Sequence, residues 1–149
     1  MMRKLIGLSA IILSAGTFSP AALATEKASP IINMPATSLA WKTTKEGVSF
    51  APLTGDRFKE AYMAMVRLPS GLVSPAHTKS ANMFGVVISG SMKHYSVGVS
   101  EEKSPLLQTG SFYKIPKNVA HVSSCVSDKD CITFLYQDGQ FDFVPVPHD

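Results

Sequence analysis

The sequence predicts an all-β domain, antiparallel and closed or nearly closed into a sandwich or barrel. Three observations carry that expectation. About ten short apolar or β-branched runs alternate with turn formers from Leu39 onward. No segment keeps apolar residues at helical spacing for three turns. The chain has 149 residues, 45% of them hydrophobic, which suits one core of ordinary size and excludes a wholly disordered chain.

The elements follow in order. Residues 25–37 are polar and punctuated by Pro30 and Pro35, and read as an extended arm ahead of a domain over 38–149. The first strands are expected at Ser38 to Lys42, Val48 to Ala51 and Ala61 to Leu68, with Arg57 to Met63 able to open only a short helix. Pro69-Ser70-Gly71 turns the chain into Leu72 to Thr78, and Ser89-Gly90 separates Phe84 to Ser89 from Met92 to Val97. Thr109-Gly110 introduces Ser111 to Ile115, and Pro116-Lys117-Asn118 introduces Ala120 to Cys125. Asp138-Gly139 divides Ile132 to Gln137 from Phe141 to Val144, and Pro145 and Pro147 stop the last run.

The first residues read as an export signal. Arg3 and Lys4 precede an apolar run from Leu5 to Leu13, small residues continue to Phe18, and Pro20 breaks the run before Ala22-Leu23-Ala24. The apolar core falls short of the ~20 residues a spanning helix needs, and no cysteine follows for a lipid anchor. Residues 1–24 are therefore expected to be a signal peptide cleaved after Ala24. Cleavage leaves 125 residues in the periplasm or outside the cell, with the net charge reduced from +3 to +1. No membrane partner is expected after cleavage. Without a cluster of Lys or Arg, no nucleic-acid partner is expected either.

Two cysteines are too few for a disulfide scaffold or a four-thiolate zinc site. Cys125 and Cys131 flank a polar stretch between two β-rich runs, which suggests a hairpin end where the two face each other. Export favours their oxidation to a disulfide; a metal-binding pair lacks a second pair to complete it. Nucleophile-elbow, phosphate-cradling and dinucleotide fingerprints are missing from the sequence.

Two stretches carry the functional signal. In the first, Gly71 precedes His77 by six positions, then Lys79, Asn82 and Met83 lead into Phe84 to Gly90. In the second, Gly110 precedes Pro116 by six positions and His121 follows five later. Together these resemble the two motifs of the cupin superfamily over about Ser38 to Val144. The Pro75-Ala76-His77 stretch, the Gly85 to Gly90 strand and His121 with Cys125 resemble a set of small exported cupins. The layout, with Trp41 ahead of the barrel, is also similar to that of the anti-sigma-factor cupins. The resemblance implies a jelly-roll β-barrel whose interior holds one divalent metal ion, such as zinc, iron or manganese, on three histidines and a carboxylate.

This chain departs from that pattern at two ligands. Lys79 stands at the second histidine and Met83 at the acid, leaving His77 and His121. A nearby ammonium opposes cation binding. A weak metal site of His77, His121 and Asn82 stays open, as does a ligand site formed by His77, Lys79, His121 and Met83. Lys79 has three readings: a base or imine-forming nucleophile, a partner for a ligand carboxylate, or a rim residue with its head in water. The two histidines have a further reading as hydrogen-bonded structural residues. His94 is either a replacement ligand or structural, and no catalytic residue is assigned.

Three functions follow as expectations: a binding module holding a small, anionic molecule in the barrel; a dioxygenase- or isomerase-like metal enzyme using His77 and His121; and an interaction protein pairing subunits through the outward residues Phe84, Val86 and Ile88. A homodimer is compatible with each.

Overall fold

The computed structural model describes residues 28–147. The expected signal peptide and its cleavage site lie outside the described residues. The chain divides at Asn33 and Met34, and the regular elements all fall in the second unit.

Among the described residues, eleven strands form two antiparallel sheets. The first contains β1 (Lys42–Thr43), β2 (Ser49–Thr54), β3 (Tyr62–Leu68), β5 (Met83–Ser89), β8 (Phe112–Ile115) and β10 (Cys131–Gln137). Its order is β1-β2-β3-β10-β5-β8. The second contains β4 (His77–Thr78), β6 (Ser91–Ser96), β7 (Leu107–Gln108), β9 (His121–Cys125) and β11 (Val144–Pro145), in the order β11-β4-β9-β6-β7. Two short 3-10 turns, Ala36–Ser38 and Glu101–Lys103, complete the regular structure. Among the described residues no helix is long and apolar enough to cross a membrane.

Residue alternation closes the core. On β3, Tyr62, Ala64, Val66 and Leu68 are buried, while Met63, Met65 and Arg67 between them look outward or stay half-covered. Val87, Ile115 and Leu135 face the same interior, and Met92 and Cys125 meet them from the other sheet. Gly85 sits at an inward position of β5 because the Tyr113 ring occupies the space that a Cβ would fill. That ring lies between the sheets with its hydroxyl 2.9 Å from Thr133 Oγ1.

The strands depart from the sequence expectation where a local rule is overridden. Leu72 to Thr78 runs beside β9, but only His77–Thr78 is regular strand. Ser74 N–H donates to Ser123 C=O and Leu72 C=O accepts from Cys125, and then Pro75, which has no N–H, interrupts the ladder. Pro35 opens a 3-10 turn where composition predicts extended chain. β7 has two residues, too few to show a period.

Cys125 and Cys131 form the expected disulfide, with their Cα atoms 5.7 Å apart. The expected hairpin is corrected: β9 belongs to one sheet and β10 to the other, so the bond ties the two sheets together at a corner. A polar linker between apolar runs looks the same whether the chain reverses or crosses between layers.

Candidate functional site

His77 and His121 are cross-strand partners on β4 and β9, and both are buried. Their rings lie 4.3 Å apart, and His77 stacks on Phe143 at 4.1 Å. Each Nδ1 meets a carbonyl two residues earlier, Pro75 at 2.8 Å and Val119 at 2.9 Å. A carbonyl only accepts, so each Nδ1 carries the proton and each Nε2 keeps its lone pair. The repeated geometry follows from the sequence, since each histidine enters its strand just after a loop.

A third histidine joins this face. His94 on β6 pairs with Ser123 on β9, two residues from His121. Its Nδ1 lies 2.8 Å from Ser123 Oγ, and its ring lies 4.3 Å from Tyr113. The Nε2 atoms of His94 and His121 are buried without a hydrogen-bond partner. Burial holds the trio neutral: His77 is pushed down to about 4 and His94 to about 3, and His121 is lowered as well. The backbone hydrogen bonds of His77 and His121 oppose that lowering, as does Asp142 for His77, while the charges that Lys79 and the neighbouring histidines would carry add to it.

Lys79 is also buried, with 7% exposure. Its Nζ donates to the backbone carbonyl of Asp142 at 2.7 Å and lies 4.3 Å from the Phe141 ring centre. No carboxylate among the described residues forms an ion pair with it. The Asp142 carboxylate instead accepts the Ser80 N–H, at 3.1 and 3.0 Å. Burial pushes the Lys79 ammonium down to about 8, opposed by Asp142 and reinforced by Arg57. The rim reading of Lys79 is therefore corrected: the polar head as well as the stem is enclosed.

Lys79, His77 and His94 border a cavity of about 490 Å³, whereas His121, expected with them from the sequence, does not line it. Its walls are mainly apolar, including Phe50, Val66, Leu72, Met83, Met92, Leu135, Phe141 and Phe143. Lys79, His77, His94, Ser123 and Thr133 supply polar atoms at its lining, and the exposed Glu46 adds a carboxylate. Met83 therefore sits where the sequence places it, while Asn82 does not. The Asn82 amide donates to Asp138 Oδ2 at 2.6 Å and its oxygen accepts the Lys117 N–H at 3.1 Å. Asn82 is thus committed to a loop junction, and the expected His77, His121 and Asn82 set is not assembled. Phe141 and Phe143 were not legible as site residues, because a wall residue in a loop carries no chemical signature. His94 had one usable signal, its inward parity with Met92.

A family model described as "Domain of unknown function (DUF4437)" matches residues 20–144. The chain belongs to this family. No curated protein matches the chain. Among solved structures, this DUF4437 chain is similar to an RmlC-like cupin from Shewanella frigidimarina at 15% identity and a TM-score of 0.56, covering 70% of this chain and 88% of that one. The polyketide cyclase RemF from Streptomyces resistomycificus is similar at 12% identity and a TM-score of 0.63, covering 80% and 88%. A structure of Rhodobacter sphaeroides SigE in complex with the anti-sigma ChrR matches at 18% identity and 0.54, covering 70% of this chain and 51% of that one. These likenesses establish a cupin jelly roll, as the motifs imply, and bear on the fold alone.

The residues present do not fit the ion that the cupin pattern implies. That pattern needs an anionic oxygen among four ligands, whereas the histidine face offers neutral imidazoles, the Met83 thioether and a buried ammonium, and the carboxylate in the cavity lining, Glu46, is exposed and paired with Lys45. Among the described residues, no three of His, Cys, Asp and Glu are grouped to hold a metal.

Proposed function

We propose that this protein is a binding module whose barrel holds a small, largely apolar molecule bearing one anionic group, with Lys79 as the counter-charge. The observation that carries this reading is a buried ammonium on the cavity wall with no carboxylate partner. A lone buried charge is costly, and a ligand carboxylate at Lys79 would offset that cost. The cavity falls within the range of small-molecule sites, and its apolar walls suit an alkyl or aryl body. The disulfide is consistent with a periplasmic or secreted location.

Octanoate and 1-octanol, titrated calorimetrically into the full chain, test the requirement for charge. Octanoate is expected to bind at least about tenfold tighter. Equal affinities would remove the counter-charge from the account.

The buried, unpartnered Nε2 atoms of His94 and His121 are the observation that speaks for the alternative of a metal-dependent enzyme, against the lack of an anionic oxygen beside them. Elemental analysis of protein purified without chelators separates the readings. About one equivalent of iron, manganese or zinc that is lost in His77→Ala would support the enzyme.

The outward face of the first sheet supports a homodimer. Two rows cross four strands in register, Met63-Tyr136-Phe84-Lys114 and Met65-Phe134-Val86-Phe112. Phe112 is 63% exposed and Ile88 47%. Such an apolar face suits a second copy related by a two-fold axis.

A further inference from the structure

Arg57 lies outside the barrel cavity, in the turn that joins β2 to β3. Gly55 makes that turn possible: it has a φ of +75°, and a Cβ there would strike the Ala61 carbonyl. The Arg57 guanidinium is packed against three phenyl rings, 4.3 Å from the centre of Phe50, 4.5 Å from Phe58 and 5.0 Å from Phe141. Rings take up the faces of a guanidinium and leave its N–H groups to bond in the plane. At that edge Nη1 is buried and has no acceptor.

The adjacent carboxylate does not meet this need. Asp56 Oδ1 accepts the Phe58 N–H at 3.0 Å, and Oδ2 pairs with Lys59 at 2.7 Å. Arg57 forms no ion pair among the described residues. It borders a second cavity of about 400 Å³, to which Lys42 adds another cation, Phe50, Pro52 and Phe58 add apolar surface, and Asp56 adds a carboxylate already bonded to Phe58 N–H and Lys59. Phe50 and Tyr62 form a wall common to the two cavities.

We propose that this second cavity is a binding site for a small aryl carboxylate, whose oxygens meet the Arg57 guanidinium and supply the acceptor that Nη1 lacks while its ring lies against Phe50 and Phe58. A fork-shaped donor with its faces covered selects a planar, two-oxygen acceptor over a point charge. Lys42 adds long-range attraction. The site is independent of the barrel reading, because neither Lys79 nor a histidine borders it.

4-Iodobenzoate and 4-iodobenzamide provide the test, with anomalous scattering from iodine to locate each probe in crystals of the full chain and calorimetry to rank them. The expected result is iodine in the Phe50–Phe58 cavity with the carboxylate on Arg57. The benzamide should bind about tenfold more weakly, and Arg57→Lys should weaken the benzoate by a similar factor. Arg57→Met, with its melting curve checked for folding, should weaken it further. Iodine only in the barrel cavity, equal binding of the two probes, or unchanged affinity in folded Arg57 variants would each overturn the proposal.

Discussion

At the residue scale, Lys79 is the position where stability and function are expected to conflict. Its pKa falls from 10.5 when exposed to about 8 in the fold, mainly through burial. A lowered pKa means that the folded state disfavours the proton, so the cost is fully present below pH 8 and relieved as pH rises from there towards 10.5. Lys79→Met is therefore expected to stabilise the protein at pH 7, by about 1–3 kcal/mol in denaturant unfolding. A destabilised variant would mean that the ammonium is compensated in the native state. The histidines carry the same sign in a different window. His77 and His94 are held neutral down to about 4 and 3, whereas exposed imidazole protonates near 6.5. Unfolded chains bind more protons across that interval, so stability should decline as pH falls from about 6.5 towards 4, on the order of 2 kcal/mol after discounting for solvent at the cavity. Melting curves taken across this range check it, and a flat profile would contradict neutral burial.

At the scale of elements, the inter-sheet disulfide is the feature that constrains the chain most directly. It closes a short loop between β9 and β10, for which chain entropy gives about 2 kcal/mol. Cys125→Ala with Cys131→Ala should lower the unfolding free energy by about that amount while leaving the barrel folded. Loss of folding altogether would show that the two sheets depend on the bond for their docking. The same corner shows how far the sequence could be read. The expected export signal and the spacing of Cys125 and Cys131 made the bond legible, but pairing between layers has no period and left no trace. β3, β5 and β10 were legible because their buried and outward residues alternate over seven positions. Leu72 to Thr78 looked like a strand because apolar and β-branched residues recur there, yet one missing N–H at Pro75 confines regular pairing to its end. In the site, His77, His121 and Lys79 were readable from motif register. The placement of Asn82 was not, since a turn between two inward positions erases the alternation that would orient it.

At the scale of the whole molecule, the two sheets divide the work. The inner faces line the cavity, and the outer face of the six-stranded sheet carries the two rows proposed to meet a second copy. Ile88→Asp combined with Phe112→Asp is expected to shift sedimentation from a dimer to a monomer without lowering octanoate affinity, because neither side chain borders the cavity. A monomeric parent protein would contradict the homodimer. The central claim, that the barrel recognises a small anion through Lys79, is tested most directly by titrating octanoate at pH 7 into the parent chain and Lys79→Met. The account predicts one saturable site in the parent and a loss of at least about tenfold in the variant, with folding intact. Equal affinity in the two proteins would contradict it.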